Sequence, residues 1–191
     1  MTGIEIVAVV AGVLCVWLTV RQNIWCWPVG LIQVGLYIFI FYEVKLYSDM
    51  LLHAIYVVLG VYGWFHWARG GTDRKKLPVT RLNRTAIPVW LAMTLIASAS
   101  WGFFMSRYTD AALPYGDAFT TVASLVAQWL MVRKRLESWI VWITVDVVAI
   151  GIYAYKDLWL TSLLYLMFLG LAIAGFIAWR WSFREESNSR G

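Results

Sequence analysis

Residues 133–155 read RKRLESWIVWITVDVVAIGIYAY, a basic cluster followed by an apolar run with one carboxylate, Asp146, near its middle. The run is close to the 20 or so residues that a helix needs to cross a bilayer. On a helix, Trp139, Trp142, Asp146, Ala149 and Tyr153 follow one another at steps of three or four and share one face. An ionisable group at membrane depth costs roughly 2.5–3.5 kcal/mol on insertion scales, so it faces a bundle interior or a wet cavity. Two indoles and a carboxylate on one buried face suit a flat, cationic ligand.

The whole chain shares this character. Of its 191 residues, 61% are apolar and 14% charged, and 13 are Trp, far from the usage of soluble domains. Seven apolar segments follow: about Ile4–Val20, Trp27–Tyr42, Tyr47–Trp67, Ala86–Met105, Ala118–Val132, the stretch quoted above, and Leu158–Trp181. The opening MTGIEIVAVV lacks a basic n-region and a small-residue cleavage site, so it reads as the first span and not as a removable signal. The expectation is an all-α integral membrane protein of seven transmembrane helices, one membrane domain over residues 1–191.

The net charge of +5 marks cytoplasmic loops here and not a nucleic-acid partner. With seven spans, one side carries only Lys45, Arg107 and Lys156. The other carries Arg21, Arg69, Arg74, Lys75, Lys76, Arg81, Arg84, Arg133, Lys134, Arg135, Arg180, Arg184 and Arg190, thirteen against three. The N-terminus is therefore expected outside and the C-terminus in the cytoplasm.

Sliding the chain against itself until Trp17 falls on Trp129 also aligns Arg21 with Arg133, Trp27 with Trp139, Gly63 with Gly175 and Trp67 with Trp179. Without gaps, 16 of the 68 positions from Gly3 to Gly70 match, against about five or six expected by chance in so apolar a sequence. Shared membrane composition explains the Leu and Val matches but not Trp, Arg and Gly in register. The repeat divides the chain into spans 1–3 (about 3–68), a linker span 4 (about 86–105) and spans 5–7 (about 115–181). One extra span between two triplets makes them parallel in the membrane, a 3+1+3 arrangement used by a class of small transporters.

In span 5, Asp117, Thr121, Ser124 and Gln128 fall on one face, with Asp117, Thr121 and Ser124 toward the outer side as a lining or gate. Span 2 offers Gln33 and Tyr37, and span 3 offers His53, Tyr56, Gly60 and Gly63, with Trp64 alongside. Such hydrogen-bonding groups and aromatic walls suit a small polar aromatic molecule in an apolar cleft. Each has a plainer reading. Trp139, Trp67, Trp179 and Trp181 lie near cytoplasmic span ends, where an interfacial aromatic belt is the alternative to ligand stacking. Gln33 and Gln128 can join helices by hydrogen bonds, His53 can be a structural histidine, and Gly60 and Gly63 read as close-packing positions. Trp142 lies a turn deeper and reads as lining, and Asp146 has the weakest structural alternative.

Enzyme chemistry has little support. The chain contains no HExxH, GxSxG or P-loop and no Cys/His cluster. Cys15 and Cys26 lack a partner at metal-ligand spacing, so no metal and no cofactor are expected. A retinal protein would need a Lys in the seventh span, which has none.

The stretches RQNIWCWPVGLIQVGLYIFIFYEVKLYSDMLLHAIYVVLGVYGWFHW and KRLESWIVWITVDVVAIGIYAYKDLWLTSLLYLMFLGLAIAGFIAW resemble the PnuC family of bacterial vitamin transporters. The carrying features are the Trp-Pro entry to span 2, the KLYSD turn, the YGWxxW end of span 3 and WxxWxxxD in span 6. The resemblance implies a fold similar to the SWEET sugar transporters, a homotrimer, and uptake of a vitamin precursor by facilitated diffusion. Nicotinamide riboside is the implied substrate, trapped by a cytoplasmic kinase, with thiamine or riboflavin as alternatives. It maps substrate-binding aromatics onto Trp139 and Trp142, and Asp146 onto a position where some relatives have Asn. His53 departs from the pattern, which has Gln there. From a different class, a membrane subunit docking a cytoplasmic partner through the Arg69–Arg84 loop is the alternative.

Overall fold

The computed structural model describes residues 3–43, 47–70, 77–109 and 112–188, the side chains of residues 47–49, 51 and 187 excepted. Of the charge count above, Lys45, Arg74, Lys75, Lys76 and Arg190 lie outside the described residues, as does Leu46, which follows Lys45 in the KLYSD turn.

The described residues form seven α-helices: α1 Gly3–Val20, α2 Cys26–Glu43, α3 Tyr47–Arg69, α4 Ala86–Tyr108, α5 Pro114–Val132, α6 Glu137–Tyr155 and α7 Trp159–Asn188. Pro28, Pro88 and Pro114 all fall in first turns, where a missing N–H leaves no hydrogen bond unmade. Helix α5 starts at Pro114 and not at Ala118, and α7 continues past Trp181 to Asn188 because no Gly or Pro interrupts the polar tail.

Among the described residues, α1, α2, α4, α6 and α7 are apolar and long enough to cross a membrane. Helices α3 and α5 carry His53, Trp64, Asp117, Thr121, Ser124 and Gln128 of the candidate residues. At 23 and 19 residues they are about 35 and 29 Å long, against a hydrocarbon core of about 30 Å. Large apolar side chains cover the exterior: on α4, Val89, Leu91, Met93, Ile96 and Phe103 are each more than half exposed. The buried positions of α4 are Thr94, Ser98 and Gly102, so large residues face outward and small ones inward, as a lipid solvent demands. A Cβ on Gly102 would meet the ring of Tyr115 at the start of α5 at 2.5 Å.

The chain forms two compact units, one of Met1–Val79, Val132–Lys134 and Ile177–Gly191, the other of Thr80–Met131 and Arg135–Phe176. The first has a tryptophan core. Trp27 meets Trp67 edge-on at 5.3 Å, and Trp67 lies 5.9 Å from Trp179. The indole N–H of Trp67 donates to the carbonyl of Val132 and that of Trp179 to the carbonyl of Thr19, each at 3.1 Å. Trp67 and Trp179 are thus core residues, and only Trp181 of that group is largely exposed.

In the second unit, the linker ahead of α4 is fastened to the α5–α6 turn. The N–H of Leu136 donates to the carbonyl of Thr80 at 2.9 Å, and Arg135 Nη1 to the carbonyl of Arg81 at 2.6 Å. Glu137 accepts from the N–H of Leu82 at 2.9 Å and pairs with Arg81 at 3.5 Å.

The turns before α2 and α6, which the repeat puts in register, have the same backbone. Gln22 and Lys134 both have φ 52°. Asn23 N and Arg135 N donate to Leu18 O and Leu130 O, both at 2.9 Å, and Trp27 N and Trp139 N donate to Ile24 O and Leu136 O at 3.2 and 3.3 Å. These are left-handed helix ends closed by 6→1 bonds, formed here without glycine.

Candidate functional site

In the second unit, α5 and α6 form an antiparallel hairpin whose register is set at both ends. Ser138 Oγ donates to Met131 Sδ at 3.8 Å near the turn, and Lys156 Nζ donates to both carboxylate oxygens of Asp117 at 3.0 Å at the far end. Counting inward from these anchors, Gln128 lies at the depth of Trp142 and Ser124 at the depth of Asp146.

Asp146 is 4% exposed, and its carboxylate has no hydrogen-bond or ionic partner among the described residues. Ser124, Gln128 and Trp142 are half-buried and make no side-chain hydrogen bond or ring contact among the described residues. A buried charge without an internal partner is costly, and with the three half-buried side chains at two adjoining depths it leaves hydrogen-bonding and stacking capacity for a ligand.

The other α5 candidates are satisfied within the protein. Thr121 Oγ1 donates back to the carbonyl of Asp117 at 2.9 Å, and Asp117 is held by Lys156. Lys156 is the residue that sequence reading overlooked, although an antiparallel α5–α6 hairpin brings these two positions to one end.

Trp139 is 1% exposed, and its six-membered ring lies where a side chain on Gly175 would be. In the first unit Trp27 covers Gly63 in the same way, at the corresponding positions of the first repeat. Gly63 is therefore a close-packing position, as its sequence context implied. Gly60 packs under Leu31.

Also in the first unit, the amide of Gln33 lies over Gly12, where a Cβ would meet Nε2 at 2.7 Å, and it makes no hydrogen bond among the described residues. Trp64 is 40% exposed. His53 is ringed by Phe41 at 4.9 Å, Tyr37 at 5.6 Å and Tyr56 at 5.7 Å. The second unit has a matching cluster at the repeat-related positions, Tyr165 with Tyr153 at 5.2 Å and Phe168 at 6.1 Å. His53 thus takes the place that Tyr165 holds there. Among the described residues no group of His, Cys, Asp and Glu is arranged to hold a metal ion.

The family model described as nicotinamide mononucleotide transporter matches residues 2–181. The chain is 28% identical to the nicotinamide riboside transporter PnuC of Escherichia coli (strain K12) over 213 residues, covering 98% of this chain and 89% of that protein. It is 24% identical to the riboflavin/roseoflavin transporter RibM of Streptomyces davaonensis, covering 96% of this chain and 87% of that one. The crystal structure of the vitamin B3 transporter PnuC superposes with a TM-score of 0.74 at 29% identity, covering 94% of this chain and 81% of that one.

Proposed function

Because the chain belongs to the nicotinamide mononucleotide transporter family, we propose that it takes up nicotinamide riboside across the bacterial inner membrane. The observation that carries this reading is the buried carboxylate of Asp146, which has no partner among the described residues and matches the positive charge of a pyridinium ring. Trp142 supplies a face for the ring. Gln128 and Ser124 supply hydrogen bonds for the carboxamide and ribose; in the first unit Gln33 offers an amide of the same kind and His53 and Tyr37 an aromatic cluster. Trp139 supports the site through its packing on Gly175, and Asp117 and Thr121 lie toward the Lys156 end of the hairpin.

The riboside fits better than the mononucleotide that names the family. Lys and Arg occur only at the ends of the apolar segments or beyond them, so a phosphate at mid-depth would meet a carboxylate and no cation. Likeness to the riboflavin transporter supports a second reading, but neutral riboflavin gives Asp146 no charge to answer.

On this reading the two helix triplets are parallel, the N-terminus is outside, and rocking of one triplet against the other gives alternating access. Transport is passive and a cytoplasmic kinase traps the product; the functional unit is a homotrimer. Uptake of labelled nicotinamide riboside into proteoliposomes tests the assignment. Saturable uptake competed weakly by thiamine and riboflavin is expected. Strong inhibition at low concentrations of either vitamin would transfer the assignment to it.

A further inference from the structure

We propose that Trp67 and Trp179 are gating residues, a latch across the two triplets whose indole hydrogen bonds break when the site opens toward the side of the α1–α2 and α5–α6 turns. The inference rests on the reading of the chain as a transporter in which one triplet rocks against the other.

The two tryptophans occupy corresponding positions of the repeat, in the third helix of each triplet. Trp67 in α3 donates to the carbonyl of Val132, the last residue of α5, at 3.1 Å. Trp179 in α7 donates to the carbonyl of Thr19, the last but one of α1, at the same distance. Each triplet thus gives the indole of its third helix to the first helix of the other, and in the repeat register the two acceptors fall next to each other. The rings lie 5.9 Å apart. Lys134 of the α5–α6 turn adds a further tie, 4.9 Å over the ring of Trp67 and bonded at 2.6 Å to the carbonyl of Leu77 in the linker after α3. None of Thr19, Trp67, Val132, Lys134 and Trp179 is more than 8% exposed, so the latch is dry. All five belong to the first unit, which takes in the ends of α5 and α7 as well as α1–α3.

Contacts of another kind stay within one triplet. Trp27 packs on Gly63 between α2 and α3, and Trp139 on Gly175 between α6 and α7. Lys156, just past α6, pairs with Asp117 of α5, and Ser162 Oγ of α7 donates to the carbonyl of Ile150 of α6 at 3.2 Å. A triplet that rocks as a body carries these contacts with it. The Trp67 and Trp179 bonds instead join α3 to α5 and α7 to α1, and a rocking that parts the triplets at this end cannot keep them.

The chemistry of the latch suits a gate. Its acceptors are helix-end carbonyls, which have no partner of their own in the helix ladder. When the end opens, each indole N–H and each carbonyl exchanges its partner for water. A bond whose two groups can both return to water is worth a factor of about three to ten in the closed-to-open ratio. Two such bonds hold the end shut without locking it.

Thiol accessibility in the full-length protein tests this. Ser124→Cys places a reporter at the depth of Asp146, and the parent chain, with only Cys15 and Cys26, gives the background. A membrane-impermeant maleimide is added to right-side-out or inside-out membrane vesicles. Trp67→Phe and Trp179→Phe keep a ring and delete the N–H. Each is expected to speed labelling from the turn side about three- to tenfold and to slow it from the opposite side. Trp181→Phe, at an exposed neighbour, is expected to change neither. Labelling that is unchanged, or raised equally from both sides, overturns the gate and leaves the pair a static core. A second arm keeps both indoles: Arg21→Cys with Arg180→Cys, two residues past Thr19 and one past Trp179, tied by a short reducible thiol cross-linker. Uptake of labelled nicotinamide riboside is expected to stop on tying and to return on reduction. Undiminished uptake by the fully tied protein overturns the gate, even should the phenylalanine variants fail to fold. No uptake by the untied protein overturns the substrate reading instead, and the labelling arm then decides the gate by itself.

Discussion

Trp139 lies directly against Gly175: a Cβ at that glycine would come within 2.5 Å of the six-membered ring of the indole. The same lock joins Trp27 and Gly63, the corresponding pair in the first repeat. Both partners of each lock are fixed by shape, since an indole is rigid and the glycine sits mid-helix. Gly175→Ala and Gly63→Ala are each expected to destabilise by about 1–3 kcal/mol through overpacking, read as a lower unfolding temperature in detergent. Gly12→Ala makes a useful contrast. The atom it would meet is the end of the flexible Gln33 side chain, so stability is expected to fall little while substrate affinity falls by displacement of that amide.

These locks mark what could be read beforehand. Apolar runs of membrane length announced the helices, and Trp and Gly in register announced a duplication. Whether a tryptophan faced lipid, ligand or core was not legible. In a membrane helix both the lipid face and the core face are apolar, so hydrophobic periodicity no longer tells one from the other. Trp67 and Trp179 read from sequence as belt or ligand-stacking residues, whereas their indole N–H groups donate to the carbonyls of Val132 and Thr19 in the core. The burial of Asp146 was legible because a carboxylate in such a run has few places to go.

The strap between the linker and the α5–α6 turn was not legible, because its partners are more than fifty residues apart. Lys134 shows how closely that turn is committed. It is 3% exposed, donates to the carbonyl of Leu77 at 2.6 Å and lies 4.9 Å over the ring of Trp67. Gln22, its counterpart, has the same backbone angle without the ammonium group. Lys134→Met keeps the stem and removes the donor and the cation–π contact, with an expected cost of about 1–3 kcal/mol. Faster trypsin cleavage after Arg81 in the purified variant would report release of the strap.

The end of the α5–α6 hairpin remote from its turn offers a separable test. Asp117 and Lys156 are 27–29% exposed in their side chains and meet at 3.0 Å, so solvent screens the pair only in part. Asp117→Asn is expected to cost about 1 kcal/mol. The charge-swapped pair Asp117→Lys with Lys156→Asp is expected to recover part of that loss. Thermal unfolding of the two single variants and the swap gives the coupling energy; zero coupling would return Asp117 to the role of a free outer-side lining group.

Asp146 separates a binding charge from a packing residue. Asp146→Asn preserves shape and most hydrogen-bonding capacity while removing the anion. An interaction with a charged partner is worth about 1.5–3 kcal/mol, so affinity for the pyridinium form of nicotinamide riboside should fall roughly 10- to 100-fold. The reduced dihydropyridine form has nearly the same outline and no ring charge, so its affinity should change little. Trp142→Ala, in contrast, removes the stacking face and should weaken both forms, the cation more because a cation–π term of about 0.5–2 kcal/mol is lost with the ring. Equilibrium competition binding with both ligands on both variants resolves the two contributions. If Asp146→Asn weakens the charged and neutral forms alike, the carboxylate is part of the helix packing and the positive charge of the ligand is answered elsewhere.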